Sequence, residues 1–331
     1  MSKKKSLNII KTVQKFPGGM MVIPLLLGCI LNTFVPELLN LGGFTSGIFS
    51  KAGTQTIVGL FLFVSGASIN IKQVGIPVAK GAVLTVSKVG FGILIGLTIG
   101  WIFGNEGFLG ITPLAAIAAL ANCNSVMYAV LANQFGDATD VGAVSVLGLD
   151  DGPFFTMIAL GAAGMATIPF KDIICVIIPL VLGLILGNLD EDIRDLCEQG
   201  TPLIIPFNGF ILGTGMSLKD VVTAGVPGII LGLISLVFTG FFCYFVYNLI
   251  FGRKQKKAVG FGVGNTAGNA VVTPGAIGES DPSWAPYAPG ATAQCAAACV
   301  VTSILCPLVT TYLHKRIQKK QEQQSGQKQK A

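Results

Sequence analysis

Ten long apolar runs separated by short polar stretches fill most of the chain, at about residues 19–40, 54–71, 77–103, 111–135, 141–166, 172–189, 201–217, 224–251, 258–277 and 286–313. Most approach the ~20 residues that an α-helix needs to cross a hydrocarbon core. The pattern predicts an all-α integral membrane protein with ten transmembrane helices and both termini on one side. Gly, Pro and Asn interrupt several runs. Such backbone is tolerated at membrane depth where it is buried in protein or lines a cavity, not where it faces lipid.

The runs also repeat. Val22–Gly28 (VIPLLLG) returns as Ile177–Gly183 (IIPLVLG), Gly66–Lys72 (GASINIK) as Gly213–Lys219 (GTGMSLK), and the Asn-rich stretch from Asn122 returns from Asn265, in the same order and at offsets of 155, 147 and 143 residues. Five runs fall in each copy, and an odd number turns the second copy upside down in the bilayer. The chain therefore reads as a first five-helix repeat, 19–166, and a second, inverted one, 172–313, the plan of secondary transporters. Residues 1–18 read as a cytoplasmic N-terminus and 314–331 as a polar, disordered cytoplasmic tail.

Composition agrees: 52% of residues are hydrophobic and 11% charged, and the mean hydropathy is +0.72, far from a soluble domain. Lys3–Lys5, Lys72, Lys80, Arg194, Arg253–Lys257 and Lys315–Lys320 fall on one side, with only Lys51, Lys171 and Lys219 on the other. The positive-inside rule makes the first side, with both termini, cytoplasmic. The net charge of +6 needs no nucleic-acid partner, because its blocks are short juxtamembrane runs suited to anionic lipid. Trp101, Trp284, Tyr244, Tyr247 and Tyr312 lie near run ends, where amphipathic rings anchor at the interface.

The eight cysteines form no CxxC and read as small buried hydrophobes, with Cys197 in a cytoplasmic loop. There is no nucleophile motif, P-loop or HExxH helix, and the glycines from Gly260 to Gly268 follow no strand. The sequence thus predicts no cofactor, no metal and no enzyme.

Charge at membrane depth is sparse. Lys88 lies near the middle of the third run, and Asp150 and Asp151 near the middle of the fifth. A charged side chain there costs ~2.5–3.5 kcal/mol even on the lenient insertion scale, which marks it as a functional candidate. Two adjacent carboxylates in a poorly solvated site cannot both ionise easily, so one is a candidate proton carrier and Lys88 a partner for the other. A static Lys–Asp pair that fixes helix packing is the competing reading, and it leaves the second Asp without a purpose.

Amides form a second constellation. Asn122, Asn124 and Ser125 interrupt the fourth run, and Asn265, Thr266 and Asn269 interrupt the ninth at the equivalent place. Helices broken at mid-membrane expose half-helix N-termini whose free N–H groups and dipoles favour anions. These six are candidate substrate-binding residues, joined by Gln294 in the tenth run, which falls opposite the Asp pair by repeat symmetry. The competing reading is interhelical hydrogen bonding, worth ~1 kcal/mol per amide.

Four separated motifs then coincide: Lys15–Met21 (KFPGGMM) followed by Ile23-Pro24-Leu25, Gly152-Pro153 followed by Thr156-Met157-Ile158, Leu186–Asp190 (LGNLD), and Val301–Leu305 (VTSIL). Together, over about residues 11–316, they resemble the bacterial 2-keto-3-deoxygluconate permease family. The resemblance implies the fold of the bile acid, arsenite and riboflavin transporter superfamily, with a core domain built on two crossing broken helices and a flatter panel domain. The fourth and ninth spans would be the crossing helices, spans one, two, six and seven the panel, and the rest the core. It further implies proton-coupled import of 2-keto-3-deoxygluconate or a related keto sugar acid across the inner membrane. Lys88 matches a family lysine, while Asp151, Asn265 and Asn269 stand where smaller residues are usual. A sodium-coupled organic-anion carrier is the alternative, since Asn, Thr and Asp oxygens with unwound carbonyls also hold Na⁺. A membrane receptor for such a metabolite is a third, less favoured for want of a sizeable soluble output domain.

Overall fold

The structure is a computed structural model that describes residues 8–15, 19–71, 75–150, 152–252 and 256–328. Each apolar run has a helical counterpart. In chain order these are α1 (Gly19–Phe34), α2 (Thr54–Ala67), α3 (Ile76–Phe103), α4 (Pro113–Leu120), α5 (Ser125–Phe135), α6 (Ala138–Asp150, ending in a 3₁₀ turn), α7 (Phe154–Ala162), α8 (Phe170–Leu189), α9 (Glu191–Gly213), α10 (Leu218–Ile250), α11 (Thr273–Ser280) and α12 (Ala288–Lys328). Two 3₁₀ turns, Val259–Val263 and Gly268–Val271, precede α11 in the ninth run. Among the described residues, strand-like pairing is limited to one bridge, Phe108 with Ile111, which closes the turn ahead of α4.

By length and composition α3, α8, α10 and α12 suffice to cross a membrane, and three bent pairs raise the number of spans to as many as seven. The pair α4 and α5 bends by 40° and the pair α6 and α7 by 57°. Outer faces are apolar. Helix α8 buries only Gly183 and Gly187, while its Ile178, Leu182 and Ile185 side chains face outward. A soluble monomer rarely exposes apolar surface so continuously, and a bilayer covers it.

Two groups of helices result. In the first, α1 crosses α9 and α2 crosses α8 at glycines. A Cβ on Gly28 would meet Phe210 O at 2.2 Å and one on Gly213 would meet Leu25 O at 2.0 Å. At the other crossing, a Cβ on Gly66 would meet Leu180 O at 2.0 Å and one on Gly183 would meet Phe63 O at 1.9 Å. With no hydrophobic drive between helices in lipid, this close backbone approach is what holds them together. The second group comprises α3 to α7 and α10 to α12, with α10 lying along α12 and α3 along α4.

Four expectations need correction. The tail is not disordered from 314: α12 continues to Lys328, through Gln, Glu and Lys residues that are good helix formers. The stretch expected as the cytoplasmic loop that holds Cys197 is, from Glu191, the first turns of α9, with Asp190 capping the Asp192 N–H and its acidic residues favoured by the helix dipole. Cys197 is accordingly a buried helical residue. Finally, Trp284 and Tyr247 are no interfacial anchors, since both are buried and hydrogen-bonded to protein, whereas Trp101 and Tyr312 do face outward.

Candidate functional site

The site is built where two helices stop. Asn124 ends the gap after α4 by capping α5, its Oδ1 accepting the Met127 N–H at 3.0 Å. Asn265 lies in the gap between the two 3₁₀ turns of the ninth run. Its Oδ1 accepts the Asn124 N–H at 2.6 Å, and its Nδ2 donates to Gly262 O at 2.7 Å. Next to it, the Thr266 hydroxyl donates to Ala119 O at 3.0 Å, and the Thr266 N–H donates to Thr302 Oγ1 at 2.9 Å. The two breaks therefore satisfy each other's orphan backbone groups at one spot. Asn265 and Thr266 are fully buried, Asn122 is 2% exposed, and the Asn122 Oδ1 has no hydrogen-bond partner among the described residues.

Close packing keeps the flanking helices against these breaks. A Cβ on Gly92 of α3 would lie 2.7 Å from Ala121 N, and one on Gly264 would lie 2.6 Å from the Cα of Gly240 on α10. Lys88, one turn from Gly92, is completely buried. Its ammonium donates to Asn265 O at 2.8 Å, Thr239 Oγ1 at 3.2 Å and Ser235 Oγ at 3.3 Å. Ser235 and Thr239 belong to a π-helical segment of α10, Ser235–Gly240, a distortion often found at functional sites.

Asp150 ends α6 and is 2% exposed. It acts on Lys88 through space, while the ammonium's hydrogen bonds go to neutral oxygens. Glycines flank it on the side of the first helix group: a Cβ on Gly152 would meet Leu62 of α2 at 2.8 Å, and one on Gly148 would meet Ile69 at 3.6 Å. Gly152 also has φ +92°, a conformation in which any side chain is strained. Asp151 lies outside the described residues.

Of the remaining candidates, two adjoin the breaks and one is held elsewhere. Ser125 opens α5, and Asn269 lies in the second 3₁₀ turn, 9% exposed. Gln294 is buried, but its Nε2 donates to Gly110 O at 2.7 Å, in the turn ahead of α4. A small cleft of about 90 Å³ lies between the two helix groups, lined by Thr54, Ile211 and Met216 on one side and Gly278, Glu279 and Ala288 on the other. Gln55 Nε2 donates to Glu279 across it at 3.3 Å.

One cluster escaped the sequence reading. The Lys80 ammonium of α3 donates to Asp140 Oδ1 at 2.5 Å and Thr139 Oγ1 at 2.6 Å, and Lys257 donates to Asp140 Oδ2 at 2.7 Å and to Asp137. Tyr247 donates to Asp140 as well, and Asp140 is completely buried. Burial pushes the Asp137 carboxyl up, but hydrogen bonds from Lys257 and Thr139 outweigh it and hold it well below the usual carboxylate range. Burial pushes Lys257 down, and hydrogen bonds to Asp137 and Asp140 more than restore it. Lys80 and Lys257 had been absorbed by the orientation rule; the signal was two carboxylates three residues apart in a chain poor in acid.

Apolar outer faces around a buried centre that holds Lys88, Asp150 and interlinked amides define a multi-pass membrane protein. The sequence pattern of the 2-keto-3-deoxygluconate permease family matches residues 10–319. The chain is 44% identical over 310 residues to 2-keto-3-deoxygluconate permease 1 of Salmonella typhimurium (strain LT2), covering 94% of this chain and 96% of the relative. It is 37% identical over 320 residues to the 2-keto-3-deoxygluconate permease of Bacillus subtilis (strain 168), covering 95% and 96%. It is also 37% identical over 311 residues to that of Xanthomonas oryzae pv. oryzae, covering 92% and 96%. The chain belongs to the 2-keto-3-deoxygluconate permease family, whose members are permeases and not enzymes.

Proposed function

We propose that this permease imports 2-keto-3-deoxygluconate or a closely related keto sugar acid across the bacterial inner membrane, coupled to protons, with both termini cytoplasmic. The names of the relatives and the site chemistry support the substrate class: a C6 keto acid offers one carboxylate, a keto oxygen and several hydroxyls. Half-helix N-termini favour the carboxylate, Asn122, Ser125 and Asn269 supply donors and acceptors for the rest, and Asn124, Asn265 and Thr266, whose side chains bond within the protein, hold the two breaks in place around them.

Ten spans in two inverted repeats, 19–166 and 172–313, are supported by the glycine crossings. Gly28 and Gly183 are repeat equivalents, as are Gly66 and Gly213. The α1–α9 contact through Gly28 and Gly213 thus corresponds to the α8–α2 contact through Gly183 and Gly66. In this reading α1, α2, α8 and α9 form the panel and the other helices the core. Movement of core against panel alternates access to the cleft between them.

The observation that carries the proposal is the mutual hydrogen bonding of the two breaks beside Lys88, with Asp150 at the panel contact. Outward facing, Asp150 or Asp151 takes a proton and the substrate carboxylate docks at the half-helix ends. Inward facing, both leave. Equilibrium binding of labelled 2-keto-3-deoxygluconate to the purified protein tests the assignment. Binding competed by keto sugar acids and not by neutral hexoses supports it, and no saturable binding of the sugar acid refutes it.

A further inference from the structure

The hydrogen bonding of Lys88 differs from that of a lysine held by a carboxylate. Lys80, elsewhere on the same helix, touches Asp140 directly, whereas Lys88 meets three neutral oxygens. One is the Asn265 carbonyl, at the helix break. The others are hydroxyls one turn apart on the π-segment, and Thr239 gives its proton to Ser235 O at 2.7 Å, which turns its lone pairs towards the ammonium. Lys88, Ser235 and Thr239 are all completely buried. Unwound carbonyls and hydroxyl oxygens converging at membrane depth are the ligands that alkali cations take in carriers and filters.

We propose that Lys88 determines the coupling ion: its ammonium is a built-in monovalent cation that fills this oxygen site and so keeps Na⁺ out of it. The proposal rests on the transporter reading above and deepens it. Ser235 stands 147 residues after Lys88, the offset at which Gly66 returns as Gly213, so the two repeats meet here with a cation from one and its ligand from the other. Asp150 adds negative potential through space without contacting the ammonium, which would favour any cation placed there. Taking the ammonium away would leave the ligands converging on a space that a free cation can enter.

The test uses purified full-length Lys88→Ala and parent protein, unfolded thermally in sodium, ammonium or choline chloride at equal ionic strength. The variant should melt about 5 °C higher in sodium or ammonium than in choline, the parent equally in all three, and Lys88→Ala combined with Thr239→Ala should lose the response. If Lys88→Ala does not fold in choline, recovery of folded protein in sodium or ammonium is the readout, with Lys88→Met as a second variant of similar length. Identical melting in all salts, recovery in none, or the same cation response in the parent overturns the proposal. No substrate enters this measurement, so its failure leaves the transport reading intact, and a failure of substrate binding leaves the cation site standing.

Discussion

Asn265 Oδ1 accepts the main-chain N–H of Asn124 at 2.6 Å, so that a side chain in one helix break satisfies a backbone donor in the other. Asn265→Ala leaves that N–H unpaired, at a cost of ~1–3 kcal/mol. The variant should melt lower and bind substrate several-fold to about a hundredfold more weakly. Asn124→Ala removes instead the cap of α5, at ~0.5–2 kcal/mol, and Asn124→Ser, a neutral cap, should restore stability. Thr266→Ala loses the bond to Ala119 O, at ~0.5–1.5 kcal/mol. Parent-like melting and affinity in all of these would reduce the amides to spectators.

Asp150→Asn should abolish concentrative uptake while leaving substrate exchange down its own gradient, because the amide keeps the shape and removes the proton site. Asp151→Asn should weaken uptake or shift its pH dependence. Accumulation assays over a range of pH, paired with counterflow, separate the two steps. Undiminished accumulation by both variants would exclude these carboxylates as proton carriers.

The helix crossings give a contrast within one helix. Gly66→Ala drives a methyl to 2.0 Å from Leu180 O, whereas Gly59 on the same helix has nothing within 4 Å. Overpacking of that kind costs ~1–3 kcal/mol or more, so Gly66→Ala should lower the melting temperature and Gly59→Ala should not. Equal melting of the two variants would contradict the α2–α8 crossing.

Asp140 should be the most sensitive residue of the ion cluster. It is completely buried against two lysines, so Asp140→Ala strands buried positive charge, at ~3–5 kcal/mol. Asp137 is 54% exposed and acts also as the cap of the next helical turn, so Asp137→Ala should cost only the ~0.5–2 kcal/mol of a lost cap. Because the folded carboxyl of Asp137 titrates below its unfolded value, its contribution is complete above about pH 3.9 and fades as pH falls towards the folded value. Asp137→Asn should therefore differ from the parent at neutral pH and converge on it in acid. Melting curves at both pH values decide the matter.

Apolar period and interruptions made the helices, both breaks and Lys88 legible in the sequence, because a bilayer leaves few ways to place a charge or a broken helix. Partnerships were less legible. The sequence pairs Lys88 with one of the two aspartates, whereas among the described residues the ammonium's hydrogen bonds go to Asn265, Ser235 and Thr239, since an unwound backbone offers carbonyls that no side-chain pattern announces. Repeat symmetry places Gln294 opposite the aspartates but does not announce that its Nε2 donates to Gly110 O in the turn ahead of α4. Lys80 and Lys257 look like orientation signals because the carboxylates that hold them, at the cap and first turn of α6, are distant in sequence from both. The polar tail looked disordered because composition records solubility, and not the helix propensity of Gln, Glu and Lys.

Uptake of labelled 2-keto-3-deoxygluconate into vesicles, with an inward proton gradient or an inward sodium gradient imposed separately, tests the central claim most directly. The account predicts accumulation with the proton gradient alone, abolished by a protonophore, and none with sodium alone. Accumulation driven by sodium and indifferent to the proton gradient would contradict it.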